Sequence, residues 1–175
     1  MLKFTIFSMA FFLMASVAMA ADLKVNIGGK DVTIKSTPIN HEITIKEKDK
    51  GSQNSALECS YLYYSILSKG DIKKASELSL DPSKTAAKMT QHSERIGKDE
   101  FKKTMSEYFT SGNIVLAELT LGEEIMLVVK TKEYTAGQTY RKKDGKYFVT
   151  EMPFSDSAKA LGKALNMIQD GKIKL

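Results

Sequence analysis

The spacing of apolar and polar positions changes twice along the chain, and it predicts strands, then helices, then strands again. Leu23–Ile34 alternates on both sides of Gly28 and Gly29, which is typical of a β-hairpin closed by a two-residue turn. Residues 41–46 form a candidate third strand, and a charged and then polar linker follows. We therefore interpret residues 21–52 as an N-terminal β-rich arm.

Helical spacing begins after residue 55. A first helix is predicted up to Gly70 from the apolar positions Ala56, Cys59, Tyr63 and Ile66. Asp71 is a candidate N-cap for a short second helix, which ends at Asp81–Pro82. A third helical stretch extends to Gly112, and its first half, residues 84–95, has weak periodicity and is expected to be partly irregular. Residues 71–112 therefore predict two helices.

A period of two returns from residue 113. Four strands are predicted, with turns at Gly122–Glu123 and Asp144–Gly145 and with Val115, Ala117, Leu119 and Leu121 on one face. A final helix is expected to begin after Ser155 and end at Gly171. Helices that precede a run of strands predict an α+β domain over residues 53–175, with helices packed on one face of a curved antiparallel sheet.

The first 20 residues have the pattern of a signal peptide. An early cation, Lys3, precedes an apolar run, and Ala18–Met19–Ala20 supplies the small residues that a signal peptidase reads. We expect cleavage after Ala20, with cleavage after Ala21 as the alternative. The apolar run is shorter than the roughly 20 residues that a spanning helix needs. We therefore expect a periplasmic or secreted protein that does not span the membrane.

Charge and cysteine content exclude several classes of protein. The formal net charge is +5, and acids and bases are interleaved, so the sequence gives no support to nucleic-acid binding. Cys59 is the single cysteine and cannot form an internal disulfide. We interpret it as a small buried apolar residue, with an intermolecular disulfide or a nucleophile as the alternatives.

No residue pattern in the sequence supports a metal site or a cofactor site. His41 and His92 are far apart, and neither has a partner at the spacing of a chelating pair. The chain also lacks a glycine-rich phosphate loop and a nucleophile elbow. We predict no metal, no cofactor and no catalytic residue.

Several features together resemble the nuclear-transport-factor-two-like superfamily. They are the tyrosine-bearing first helix, the Gly70–Asp71 break, and the Asp144–Tyr147 hairpin that leads into an apolar strand. The resemblance covers about residues 55–152. It implies a strongly bent sheet that wraps around helices as a cone, with a cavity at its open end. The β-rich arm and the helix after Pro153 depart from the family's minimal pattern.

The cone makes five residues candidates for ligand binding: Tyr61, Tyr63, Tyr64, Tyr108 and Glu118. The first three cannot all point the same way on one helix, so one or two are expected inside the cone. Ordinary core packing of these tyrosines is the alternative. The ketosteroid isomerases of the superfamily place acids and a tyrosine inside the cone. In this chain no two carboxylates are predicted on one inward sheet face.

Two functions are consistent with these patterns. The first is an exported non-enzymatic binding protein that holds a small apolar ligand or docks a protein, for example as an immunity protein that neutralises a secreted toxin. A homodimer is an open alternative for the partner. The second is a small periplasmic isomerase or lyase with an acid hidden in the cone. An inward acid with a raised pKa would favour the enzyme, and a cone filled by side chains would favour the binding protein.

Overall fold

The computed structural model describes residues 21–44, 51–108, 110, 112–150 and 155–175. The predicted signal peptide, Phe109 and Glu151 lie outside the described residues. The fold is α+β, with five helices and a six-stranded antiparallel sheet that is curved and does not close. The predicted fold class, including the N-terminal hairpin and the C-terminal helix, is confirmed.

The elements follow one another as two strands, four helices, four strands and a last helix. They are β1 (Ala21–Ile27), β2 (Lys30–Glu42), α1 (Ala56–Leu67), α2 (Ile72–Ser76), α3 (Pro82–Ile96), α4 (Lys98–Tyr108), β3 (Ile114–Leu121), β4 (Glu124–Lys130), β5 (Thr135–Lys143), β6 (Lys146–Thr150) and α5 (Asp156–Gln169). The spatial order of the strands is their order in sequence, so every strand pairs with its neighbours along the chain.

The first hairpin belongs to the main sheet. Gly28 and Gly29 have φ values of 58° and 84°, which a two-residue turn between twisted strands requires. β2 then continues to Glu42 and pairs with β3 along its second half. The prediction of a separate strand over residues 41–46 is wrong for His41 and Glu42, because the chain stays in β2 through an irregularity after Pro38.

A bulge in β3 changes which side chains share a face. The register shifts between Val115 and Ala117, so one extra residue reverses the alternation there. Val115 packs with the core under the first four helices, whereas Ala117 and Leu119 pack in the cluster that contains residues of α5. The prediction of these residues on one common face is therefore wrong at Val115.

The sheet has a hydrophobic cluster on each face. The larger one combines residues of α1, α2 and α4 with the side chains of Leu127, Val129 and Tyr140. The other combines α5 residues, such as Leu161, with β1–β4. The expectation of helices on a single face holds for the helices before β3, while α5 covers the opposite face.

The third predicted helix is two helices. Gly97 has a φ of 90°, which glycine adopts without a steric cost, and it separates α3 from α4. The first half is a regular 15-residue helix, with Asp81 accepting from the Lys84 backbone N–H and Pro82 in the first turn. The expected irregularity over residues 84–95 is therefore wrong: capping starts this helix although its apolar periodicity is weak.

Candidate functional site

The three tyrosines of α1 lie in the core. Tyr61, Tyr63 and Tyr64 are 4 %, 2 % and 6 % exposed, because sheet and helices enclose α1 on several sides. Their rings fill the space beneath the helix. The structure therefore places all three predicted ligand-binding tyrosines where they pack against other core side chains.

Two buried tyrosine hydroxyl groups form hydrogen bonds with polar side chains. The hydroxyl of Tyr64 donates to Oε1 of Gln138 at 2.9 Å, and the hydroxyl of Tyr140 shares a hydrogen bond with Ser60. Burial raises the pKa of Tyr64 and of Tyr140 well above the usual value for a phenol. Both hydroxyls are therefore protonated near neutral pH and act as structural hydrogen-bonding groups.

Four tyrosines form a continuous row from the core to the surface. The ring of Tyr63 meets Tyr64 edge-on, with centroids 5.3 Å apart. Tyr108 stacks on Tyr64 at 5.3 Å, and Tyr134 meets Tyr108 edge-on at 6.2 Å. We call Tyr63, Tyr64, Tyr108 and Tyr134 the tyrosine row. It joins α1 to the end of α4 and to the loop between β4 and β5.

Tyr134 is the surface end of the tyrosine row. Among the residues that the structure describes, it is the one large hydrophobic side chain that remains exposed, at 48 %. It lines a cleft of about 260 Å³ between the end of α4 and the β4–β5 loop. The sequence analysis missed Tyr134; a lone aromatic residue in a charged turn, beside Lys132 and Glu133, was the signal available.

Hydrogen bonds hold both walls of this cleft. In the β4–β5 loop, Oγ1 of Thr131 accepts from the backbone N–H of Tyr134 at 3.1 Å and donates to its carbonyl oxygen at 2.9 Å. On the other wall, the side-chain amide of buried Asn113 donates to the carbonyl oxygens of Glu107 and Tyr108 at 2.8 and 3.0 Å. The first pair of contacts fixes the loop and the backbone of Tyr134, and the second pair ends α4.

The cleft is acidic around its aromatic ring. Partial burial, the neighbouring Tyr108 and then the carboxylates of Glu133 and Glu107 raise the pKa of Tyr134. Lys132 also lines the cleft. With two acids and one base, the cleft has a formal charge of −1. An aromatic face beside carboxylates suits a cation. We call this site the acidic tyrosine cleft.

Glu118 lies apart from the tyrosine row. Its cross-strand neighbours are Thr37 on β2 and Leu127 on β4, so it faces the same side of the sheet as the core under α1. Gln138, the partner of Tyr64, is one strand further, at about 10 Å across two strand spacings. Burial raises the pKa of Glu118, and the nearby Lys35 opposes that rise. The structure brings Tyr64 and Tyr108 together but leaves this predicted site residue separate.

Cys59 is a core residue. It is 0 % exposed, and its Sγ donates to the carbonyl oxygen of Tyr147 at 3.3 Å. Burial raises the pKa of this thiol to about 12, so the thiolate is nearly absent at neutral pH. This environment suits the packing role that the sequence predicts for Cys59.

The described part of the chain contains no group of three potential metal ligands and no helix long and apolar enough to cross a membrane. The chain matches no protein family, no curated protein and no solved structure. The geometry of the acidic tyrosine cleft is therefore the main evidence on function.

Proposed function

We propose that this chain is an exported, non-enzymatic binding protein that docks a partner protein at the acidic tyrosine cleft. The observation that carries the proposal is the exposed ring of Tyr134, which contacts the half-buried ring of Tyr108 and is flanked by two carboxylates. We infer that the partner presents a lysine or arginine side chain to this ring. The burial of Tyr61, Tyr63 and Tyr64 favours docking at the surface over an apolar ligand inside the cone.

The energetics favour a preorganised aromatic anchor. A cation above a tyrosine ring contributes roughly 0.5–1 kcal/mol when exposed and about 2 kcal/mol when desolvated. Because Tyr108 contacts the ring of Tyr134 and Thr131 holds its backbone, the loop and the ring are partly ordered before binding, which lowers the entropy cost. Tyrosine and arginine are also enriched among residues that dominate interface energies. These features support a side-chain pocket within a larger protein interface.

Export remains part of the proposal. The apolar run and the Ala18–Met19–Ala20 pattern of the first 20 residues support a periplasmic or secreted location. A toxin-neutralising immunity protein is one specific form of such a binding protein, and the acidic tyrosine cleft would then take a basic side chain of the toxin. A homodimer stays a prediction.

The proposed relationship to the nuclear-transport-factor-two-like superfamily rests on element order. Helices ahead of a curved antiparallel meander support it, as does the Asp144–Gly145 hairpin. Helix α5, which packs on the face opposite α1, is an addition to the family's minimal pattern. This relationship stays a prediction.

One observation favours the enzymatic alternative. Glu118 faces the side of the sheet that α1 covers, and burial raises its pKa, as a general acid would require. It has no acidic neighbour across the strands, where Thr37 and Leu127 lie, and it does not line the acidic tyrosine cleft. If Glu118→Gln abolished an isomerase or lyase turnover while the fold persisted, the enzymatic function would replace the binding function.

The binding proposal is tested with matched peptides that differ at a single side chain. One series carries a central arginine, and its control carries citrulline, which has similar shape without the charge. Titrations followed by NMR should shift signals of Tyr134 and Thr131 with the arginine peptides and much less with the citrulline peptides. Equal shifts from both series would show that the cleft does not recognise the positive charge of the arginine side chain.

Matched variants of the protein complete the test. Glu133→Gln removes one carboxylate from the acidic tyrosine cleft, and Glu94→Gln removes an exposed carboxylate from α3. We expect Glu133→Gln and Tyr134→Ala each to weaken peptide binding severalfold, whereas Glu94→Gln leaves it unchanged. Equal weakening by Glu94→Gln would indicate attraction by overall charge and would overturn the assignment of the cleft.

A further inference from the structure

The two outer edges of the sheet differ in how their backbone groups are satisfied. At β6, the N–H of Tyr147 donates to the carbonyl oxygen of Gln53, whose side-chain amide donates back to the carbonyl oxygen of Tyr147, both at 2.9 Å. The N–H of Val149 donates to Leu78 at 2.9 Å, and its carbonyl oxygen accepts from the N–H of Leu80 at 3.1 Å. The chain itself therefore covers the β6 edge.

Hairpin geometry shows which groups of β1 point outward. The residues that flank a two-residue turn exchange hydrogen bonds, and every second residue after them does the same. In β1 this series starts at Ile27, so the backbone groups of Asp22, Lys24 and Asn26 point away from β2. The same rule, applied to the turn at Asp144–Gly145, gives Tyr147 and Val149 as the outward residues of β6, and their contacts agree.

Among the described residues, the β1 edge is covered only at one end. Nζ of Lys163 on α5 donates to the carbonyl oxygen of Asn26 at 2.6 Å, which confirms that this group points outward. Asp22 and Lys24 have exposed side chains, and their backbone groups have no partner among the described residues. A run of unpaired groups on a sheet edge is a template for another strand.

We propose that the occupant of this edge is a second copy of the chain, paired β1 to β1 in antiparallel orientation about a two-fold axis. Few registers are possible, because the two-fold axis must relate the two strands and each hydrogen-bonded pair must consist of residues whose backbone groups point outward. Pairing Asp22 with Asp22 of the second copy, or Lys24 with its own equivalent, places like charges opposite each other, which is unfavourable. Pairing Lys24 with Asn26 forms no ion pair and uses a carbonyl oxygen that already accepts from Lys163, so it is less favourable.

The remaining register places Asp22 opposite Lys24 of the second copy, and the reverse. It forms two ion pairs and four backbone hydrogen bonds, with Leu23 meeting its own equivalent on the axis. The Leu23 side chains lie on the α5 face, so the dimer also extends that apolar cluster. Two strands of seven residues bury less than a standard interface, so we expect a dissociation constant in the micromolar range or weaker.

Charge reversal at the edge tests this dimer. Sedimentation velocity of the exported, processed chain across a concentration series should show a monomer–dimer equilibrium. Lys24→Asp or Asp22→Lys alone should weaken dimerisation by about tenfold or more, because each places like charges opposite each other. The double variant Asp22→Lys/Lys24→Asp restores opposite charges and should return the dissociation constant to near that of the parent.

Recovery of dimerisation in the double variant distinguishes the loss of ion pairs from damage to the fold. A β1 edge that had misfolded would not recover when a second charge is reversed. Lys143→Asp, at the exposed tip of the β5–β6 hairpin, is the matched control and should leave association unchanged. A parent chain that stays monomeric at high concentration would overturn the proposal. The same conclusion would follow if the single reversals associated as tightly as the parent, or if the double variant did not recover.

Discussion

The ring of Tyr108 lies parallel to the ring of Tyr64, with planes 1° apart and centroids separated by 5.3 Å. A parallel pair at this distance is an offset stack, the arrangement that the ring quadrupoles favour. Tyr64 belongs to α1 and Tyr108 ends α4, so the stack joins the two helices. It also links the core to Tyr134, because Tyr108 contacts the exposed ring of Tyr134 edge-on. The acidic tyrosine cleft is therefore built directly on the core.

Truncation of Tyr108 tests this linkage. We expect Tyr108→Ala to destabilise the fold by about 2 kcal/mol, because a half-buried ring and its stacking contacts are lost. Tyr108→Phe keeps the stack and should cost less than about 1 kcal/mol. Urea denaturation measures both. If the phenylalanine variant were as unstable as the alanine variant, the hydroxyl group would matter more than the stack.

A second prediction concerns the ion pair between Glu124 and Arg141. Glu124 is 3 % exposed and its Oε1 accepts from Nη2 of Arg141, while its Oε2 has no hydrogen-bond partner among the described residues. Arg141→Met leaves that carboxylate buried without a counterion and should cost about 2 kcal/mol or more. The double variant Glu124→Leu/Arg141→Met removes both charges and should recover most of the loss. Thermal denaturation of the set measures the coupling, and additive losses would show that the two residues act independently.

The turns and the order of elements could be predicted from the sequence because they depend on local chemistry. Gly28–Gly29 and Asp144–Gly145 adopt the positive φ values that two-residue hairpins require. The bulge in β3 could not be predicted, since Val115 and its neighbours are apolar on both faces and their pattern is the same in either alternation. The split at Gly97 was missed because a glycine in a helical pattern does not by itself end a helix.

The candidate site was predicted less well than the fold. Apolar spacing identifies Tyr63 as an inward residue of α1, but it does not distinguish a filled core from an open cavity. Tyr134 was missed because its environment is created by a contact with Tyr108 across the sequence, from α4 to the β4–β5 loop. A charged turn with one aromatic residue becomes informative only when its neighbours in space are known.

The buried thiol gives a third prediction. We expect Cys59 to react slowly with iodoacetamide at pH 8 in the folded chain and rapidly in urea, since its pKa is raised to about 12 by burial. Because the folded pKa exceeds the ordinary value of 9.0, this group's contribution to stability is complete below pH 9 and is lost as the pH rises towards 12.

Cys59→Ala isolates that contribution from the tyrosines and lysines that also titrate at high pH. The difference in unfolding free energy between parent and variant should shift against the parent above pH 9, because the thiol then ionises in the unfolded chain while it stays protonated in the folded chain. A constant difference across this pH range would contradict the burial argument, as would fast alkylation of the folded chain.

The last prediction tests the environment of Glu118. Burial raises its pKa above the ordinary 4.5, so ionisation costs more in the folded chain than in the unfolded chain. Its contribution to stability is therefore present below pH 4.5 and is lost as the pH rises through the folded pKa. We expect Glu118→Gln to stabilise the fold at pH 7 relative to its effect at pH 3, measured by urea denaturation at both pH values.

Lys35→Ala removes the cation that opposes the rise in the pKa of Glu118, so it should enlarge the pH-dependent loss of stability in the chain that keeps Glu118. Glu123→Gln, whose side chain is 82 % exposed, is the matched control for the loss of an exposed carboxylate. If Glu118→Gln changed stability equally at both pH values, the carboxyl group would be solvated like Glu123, and the case for a general acid on this sheet face would end.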